Sequence, residues 1–163
     1  MSKAGLTPAE RGTALHKFMQ YADYSAAESN LQEEMERLYE WEFISREELE
    51  AIDKTALQRF FKSDIYRRIK QSPKVMREYK FMVKHPYADD ETIVQGIADC
   101  IFFENKSAVI LDFKTDNVQD INVLVERYSA QLEIYKAAIS EIFEMPVSEC
   151  VIYSMHLGEQ INV

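Results

Sequence analysis

The sequence predicts an α/β fold of the α+β kind, a helical N-terminal half followed by a small mixed β-sheet flanked by helices. Three observations lead there. Helical periodicity with cap signals runs from Pro8 to Lys70, alternating extended segments replace it after Ser72-Pro73, and one long helical stretch divides the third extended segment from the last. Gly and Pro, four of each in 163 residues, are too sparse for a turn-rich sandwich or barrel.

Taken in order, Thr7-Pro8 supplies a cap residue and a helix-compatible proline, opening a helix that runs to Tyr21. Ala26 to about Trp41 and Arg46 to Phe61 read as two longer helices, the second opened by Ser45 and Glu48 at capping-box spacing, and Asp64 to Lys70 as a short one. Extended segments follow at Met76 to Lys84, Glu91 to Phe103 and Ala108 to Phe113, with turn material at His85 to Asp90 and Glu104 to Ser107. Leu124 to Phe143 returns to the helical period. Pro146 ends it ahead of a strand from Glu149 to Met155, and Gly158 turns the chain into a short tail, Gln160 to Val163. No repeat or low-complexity linker interrupts this order, so residues 1–163, 47% hydrophobic, are expected to form a single domain.

Composition excludes several classes. Cys100 and Cys150 lie far apart with no Cys-x-x-Cys spacing, which rules out a cysteine-based metal site within the chain and suits a reducing compartment. No apolar run approaches the roughly 20 residues that span a bilayer, and MSKAGLTPAERG lacks a signal-peptide core, so a soluble cytoplasmic chain is expected. A formal charge of −9 argues against a free-standing DNA binder. The distribution is uneven: residues 23–53 carry eleven acids against two bases, whereas 59–84 carry nine bases against two acids. Either these are two solvated faces, or an acidic outer face and a basic strip that lies near a polyanion.

The chemistry concentrates in Val109-Ile110-Leu111-Asp112-Phe113-Lys114-Thr115, an apolar strand into which an acid and a base are set. Alternation puts Asp112 and Lys114 on one side and Leu111 and Phe113 on the other. Alone, such a pair is usually a strand-end ion pair. The preceding strand, Ile93 to Ile101, buries a further acid, Asp99, and a hairpin could bring it beside Asp112. Two adjacent carboxylates repel unless a divalent cation lies between them, and oxygen ligands select Mg²⁺ or Mn²⁺. Gly96 permits a close backbone approach in the same strand.

His16 shares a helix face with Gly12; on such a helix a histidine is commonly a satisfied polar group, and it is a ligand candidate only in company. Tyr128, Gln131 and Tyr135 form one helical stripe that either edges a core or holds Lys114 or a DNA phosphate. Glu78, in Arg77-Glu78-Tyr79, is either a strand-surface ion pair or a group close to the site.

In order, Gly12 to His16, Gly96 to Asp99, Asp112 to Thr115 and Gln131 to Tyr135 resemble the motif series of RecB-type PD-(D/E)XK nucleases: Gly-x-x-x-His, Gly-x-x-Asp, Asp-x-Lys-Thr, Gln-x-x-x-Tyr. The segments AERGTALHKFMQ, IVQGIADCIF, VILDFKTD, YSAQLEIYKAAI and YSMHLGEQINV look like the C-terminal nuclease domain of AddA-type helicase-nucleases. The resemblance implies a restriction-endonuclease-like core and a Mg²⁺- or Mn²⁺-dependent DNA exonuclease that leaves 5′ phosphates. It implies a metal held by His16, Asp99, Asp112 and the backbone carbonyl of Phe113, with Asp99, Asp112 and Lys114 catalytic. Gly12, Thr115, Gln131 and Tyr135 would support the site or the DNA, with Glu78 and Tyr128 further out.

It also implies a fragment of a longer chain acting in double-strand-break processing and recombinational repair. A helicase body and an AddB-type partner would deliver single-stranded DNA ends. No Gly-x-x-x-x-Gly-Lys-[Ser/Thr] loop is present, so no ATP site is expected, and without the AddB-type cysteine set no iron-sulfur cluster is expected. Two rival readings stay open from sequence: a silent nuclease-fold docking module, and a helical interaction module using residues 23–53.

Overall fold

A computed structural model describes residues 5–163; the first residues of the segment read above for a signal peptide, Met1 to Ala4, lie outside the described residues. These residues divide into two compact units, one ending at Arg67 and one running from Arg68 to Val163.

The first unit is helical: α1 (Pro8–Tyr21), α2 (Tyr24–Ser29), α3 (Leu31–Glu40), α4 (Arg46–Ala51), α5 (Lys54–Phe61), and the start of α6 (Asp64–Gln71), which crosses the division. Phe18, Met35, Leu38, Leu57, Phe60 and Ile65 are fully buried in it. Each stretch expected as one long helix is two. Asn30 leaves helical geometry at φ −152° and its side chain accepts from Glu33 N–H, and Asp53 likewise accepts from Ala56 N–H. Short polar side chains that can bond the backbone ahead of them end one helix and cap the next. Thr7 with Glu10 and Ser45 with Glu48 form complete capping boxes, as the second spacing predicted.

The second unit holds β1 (Val75–Lys84), β2 (Ile93–Glu104), β3 (Ser107–Lys114), α7 (Asn122–Phe143), β4 (Val147–Ser154) and β5 (Glu159–Asn162). The strands form one sheet in chain order, antiparallel except for β3 beside β4. A parallel pair needs a crossover, and α7 provides it, burying Leu124, Leu132, Ala138 and Ile139 against Ile101, Ile110 and Ile152. The tail expected after Gly158 is instead β5. Gly158 turns at φ 68°, and Val163 N–H donates to Cys150 O at 2.8 Å.

Gly96 is where the core tolerates no side chain. A Cβ there would stand 2.5 Å from Phe81 Cζ and 2.8 Å from Tyr135 Cζ, two rings that meet edge to face with centroids 4.9 Å apart. Gly96→Ala is therefore expected to destabilise the domain by about 1–3 kcal/mol through overpacking, read as a lowered urea midpoint.

Among the described residues no helix is long and apolar enough to cross a membrane.

Candidate active site

The partners of β2 change along its length. From Glu104↔Ser107 back to Cys100↔Leu111 it pairs with β3, and there that ladder stops, while its pairing with β1 runs on to Ile93↔Lys84. β3 meanwhile continues beside β4 to Lys114↔Ser154. The two strands part at Asp99 on one side and Asp112 to Lys114 on the other, so the hairpin inferred from sequence does bring the two acids together.

Side-chain bonds replace the ladder at this fork. Phe113 N–H donates to Asp99 Oδ2 at 2.9 Å, which fixes the carboxylate beside β3. Lys114 Nζ stands 2.8 Å from Asp112 Oδ2, confirming the shared side predicted by alternation. Asp112 is only 8% exposed, and the approach of Lys114 lacks hydrogen-bond alignment, so this buried oxygen accepts no hydrogen bond. Burial first, and the Asp99 charge second, push the Asp112 carboxyl up to about 6 against the pull of Lys114. Burial opposes the Lys114 ammonium, yet the facing Asp112 outweighs it and the net shift is upward. The lysine is thus held charged.

Tyr128 of α7 lies over this ammonium, with Lys114 Nζ 3.8 Å from its ring centroid. Its hydroxyl donates to Asp116 Oδ2 at 2.9 Å, and Arg127 donates to the same oxygen at 2.9 Å. Asp116 was not singled out from sequence, although Asp112, Lys114 and Asp116 recur at every second position and offered the signal. Thr115 is half-buried directly after Lys114. Gln131 is exposed and donates to the Tyr135 hydroxyl at 3.2 Å, while the Tyr135 ring lies over Gly96. The structure thus sets Tyr128 on the lysine and the Gln131–Tyr135 pair along β2.

Glu78 occupies the position between Arg77↔Cys100 and Tyr79↔Ala98, across from Asp99, and has a φ of 50°. For a residue with a Cβ that conformation costs about 1–2 kcal/mol. Its effect shows in the core. Met76 packs into the core beneath α7, and then Tyr79, Phe81 and Val83 do; on β2, Phe103 and Ile101 do, and then Ala98 and Val94. A step of three replaces the step of two on both strands at one level, so both turn over there. Glu78 and Asp99 sit at that turnover, one strand apart, and Asp112 lies on the next strand.

His16, on α1 in the first unit, is half-buried with Nδ1 3.0 Å from the carbonyl oxygen of Gly12. A carbonyl only accepts, so Nδ1 carries the proton and Nε2 is the ring's acceptor, the form a metal ligand takes. Among the described residues no group of three or more His, Cys, Asp or Glu side chains is arranged to hold a metal ion. The donor chemistry in the second unit nonetheless fits one. A buried carboxylate oxygen without a hydrogen bond, crowded by a second carboxylate, is what a hard divalent cation relieves.

Comparison with known proteins bears on this geometry. The chain is 36% identical to the A-subunit of the ATP-dependent helicase/nuclease of Geobacillus thermodenitrificans, over 94% of this chain and 14% of that protein. It is 33% identical to the protein of the same description from Clostridium botulinum, over 99% of this chain and 14% of that protein. The Geobacillus kaustophilus protein is 36% identical over 100% and 15% respectively. The chain thus spans about one seventh of these relatives. The family profile described as PD-(D/E)XK nuclease superfamily matches residues 2–160, a span that takes in the Asp99, Asp112 and Lys114 fork as well as His16. With nearly its whole length inside that match, the chain belongs to the PD-(D/E)XK nuclease superfamily.

Proposed function

We propose that this chain hydrolyses DNA phosphodiester bonds as a divalent-metal-dependent exonuclease, the nuclease part of a bacterial cytoplasmic helicase-nuclease that processes double-strand breaks for recombinational repair. One observation carries the reading: Asp112 Oδ2 is buried, accepts no hydrogen bond, and stands between the Lys114 ammonium and the charge of Asp99. A structural ion pair has no need of the second acid. The family match, which runs across the division at Arg67, supports treating residues 1–163 as one nuclease domain. The relatives' description supports a helicase body in the same larger protein and an AddB-type partner beside it.

Asp99, Asp112, the Phe113 carbonyl and Nε2 of His16 are the assigned ligands of Mg²⁺ or Mn²⁺. When bound, that ion polarises the scissile phosphate and lowers the pKa of an attacking water. The residues prepare the rest. Phe113 N–H holds Asp99 in place, so its free lone pairs are presented at a fixed position. Lys114, kept charged by Asp112 and seated on the Tyr128 ring, meets negative charge as it develops on the phosphate oxygens. A lysine whose pKa is raised is no base, so proton removal from water falls to the carboxylates. Gly12 fixes the His16 tautomer, and Thr115, Gln131 and Tyr135 are assigned to supporting the site and the DNA strand. Glu78 stands as a group next to the ligands.

Metal binding needs Asp112 ionised. At pH 7 it mostly is, at pH 6 it is half protonated, and each further unit downward lowers the ionised fraction about tenfold. Calorimetric titration with Mn²⁺ is expected to show affinity falling with that slope below pH 6, with proton release on binding. His16→Ala, Asp99→Ala and Asp112→Ala should each weaken binding at pH 7. Wild-type affinity in all three variants would rule out the ligand set.

A further inference from the structure

The catalytic reading leaves unused the exposed face of the β1–β2 hairpin. Past the turnover at Glu78 and Asp99, the cross-strand pairs on that face are Lys80↔Ile97, Met82↔Gln95 and Lys84↔Ile93, each residue exposed. Met82 is 65% exposed, Ile93 55% and Ile97 43%, an unusual row of apolar groups left in water. Gly96 leaves a gap in this surface, and a groove of about 780 Å³ opens there, lined by Lys80, Met82, Gln95, Ile97 and the Tyr135 ring among others.

We infer that this groove is the track of the substrate strand, holding single-stranded DNA by its bases on Ile97, Met82 and Tyr135 and by its phosphates on Lys80 and Lys84. The inference rests on the nuclease reading. Continuity with the site favours DNA as the occupant: Lys80 lies two residues from Glu78 and Ile97 two from Asp99, so a strand leaving the carboxylates meets the groove at once. Charge favours it as well. In a chain of net charge −9, β1 presents Lys80 and Lys84 on this face, and the acids Asp89, Asp90 and Glu91 begin only in the turn beyond, which sets the far end of the track. Apolar side chains between the lysines select a single strand, because a duplex hides its base faces and shows only phosphate along such a surface. The basic segment seen in the sequence thus acquires a use at its C-terminal end.

The test measures binding of fluorescent oligothymidylate and of a duplex of equal length to the whole chain, in a chelator, across a salt series. Cleavage of the single strand in Mn²⁺ is followed in parallel. For the double variant Lys80→Ala/Lys84→Ala the slope of log affinity against log salt is expected to shrink by about 1.4, from about 0.7 per lost phosphate contact. Ile97→Asp is expected to weaken single-strand binding about tenfold by placing a charge against the bases, with little change for the duplex. Both positions are exposed, so unchanged thermal melting verifies folding. Wild-type salt slope and affinity in both variants, or no detectable single-strand binding by the wild type, overturns the track. Equal loss for single strand and duplex in Ile97→Asp overturns it in favour of a plain cationic patch. Unchanged DNA binding with lost association to a helicase-body protein overturns it in favour of protein docking. If the wild type fails to cleave in Mn²⁺ yet binds as expected, the nuclease reading fails and the DNA track stands.

Discussion

Asp112→Asn is expected to lower metal-dependent DNA cleavage by on the order of a thousandfold, with the fold retained. The amide has the size of the carboxylate, so the tightly packed end of β3 is undisturbed. What changes is the charge. The buried oxygen facing Lys114 becomes part of a neutral group, and the crowding with Asp99 that burial forces on the wild type disappears. A site that no longer concentrates negative charge has little to offer a divalent cation. The loss should therefore appear both in Mn²⁺ calorimetry and in turnover, and raising Mn²⁺ to millimolar levels should recover only part of it.

Lys114→Met is expected to act differently, lowering kcat about a hundredfold while leaving metal binding in place. Methionine keeps much of the apolar length that lies along Tyr128 but carries no charge. Removing the ammonium deprives Asp112 of the one neighbour that pulls its pKa down, while burial and Asp99 still push it up. The acid limb of the pH-rate profile, set near pH 6 in the wild type, should accordingly move upward in the variant. On the alkaline side no limb from Lys114 is expected below its ordinary value of 10.5, since its own shift is upward. A variant with an unmoved acid limb would show that the Asp112–Lys114 contact does not govern the titration.

Much of this site was legible in the sequence because its signals are local. Strand alternation was enough to set Asp112 beside Lys114, and the cost of a buried acid was enough to send Asp99 to find a partner across a hairpin. The fork itself was not legible. That β2 leaves β3 after Cys100 while holding β1 depends on pairing across three strands, and no single segment encodes it. The turnover at Glu78 was hidden for a related reason: a left-handed φ at a glutamate carries no compositional mark, and strict alternation through residues 76–83 would have put Met76 and Tyr79 on opposite faces. Asp116 was missed because its role runs through Tyr128, twelve residues away. In the helical half the breaks at Asn30 and Asp53 could have been read, since both residues are strong caps; hydrophobic periodicity continued across them and masked the stop.

The central claim is that carboxylates at this fork hold the metal that cuts DNA. It is tested most directly by incubating end-labelled single-stranded DNA with the wild type and with Asp112→Asn, each in Mg²⁺, in Mn²⁺ and in chelator. Degradation by the wild type in either metal, none in chelator, and almost none by Asp112→Asn is the expected result. Degradation that survives the chelator, or that proceeds undiminished in Asp112→Asn, would contradict it.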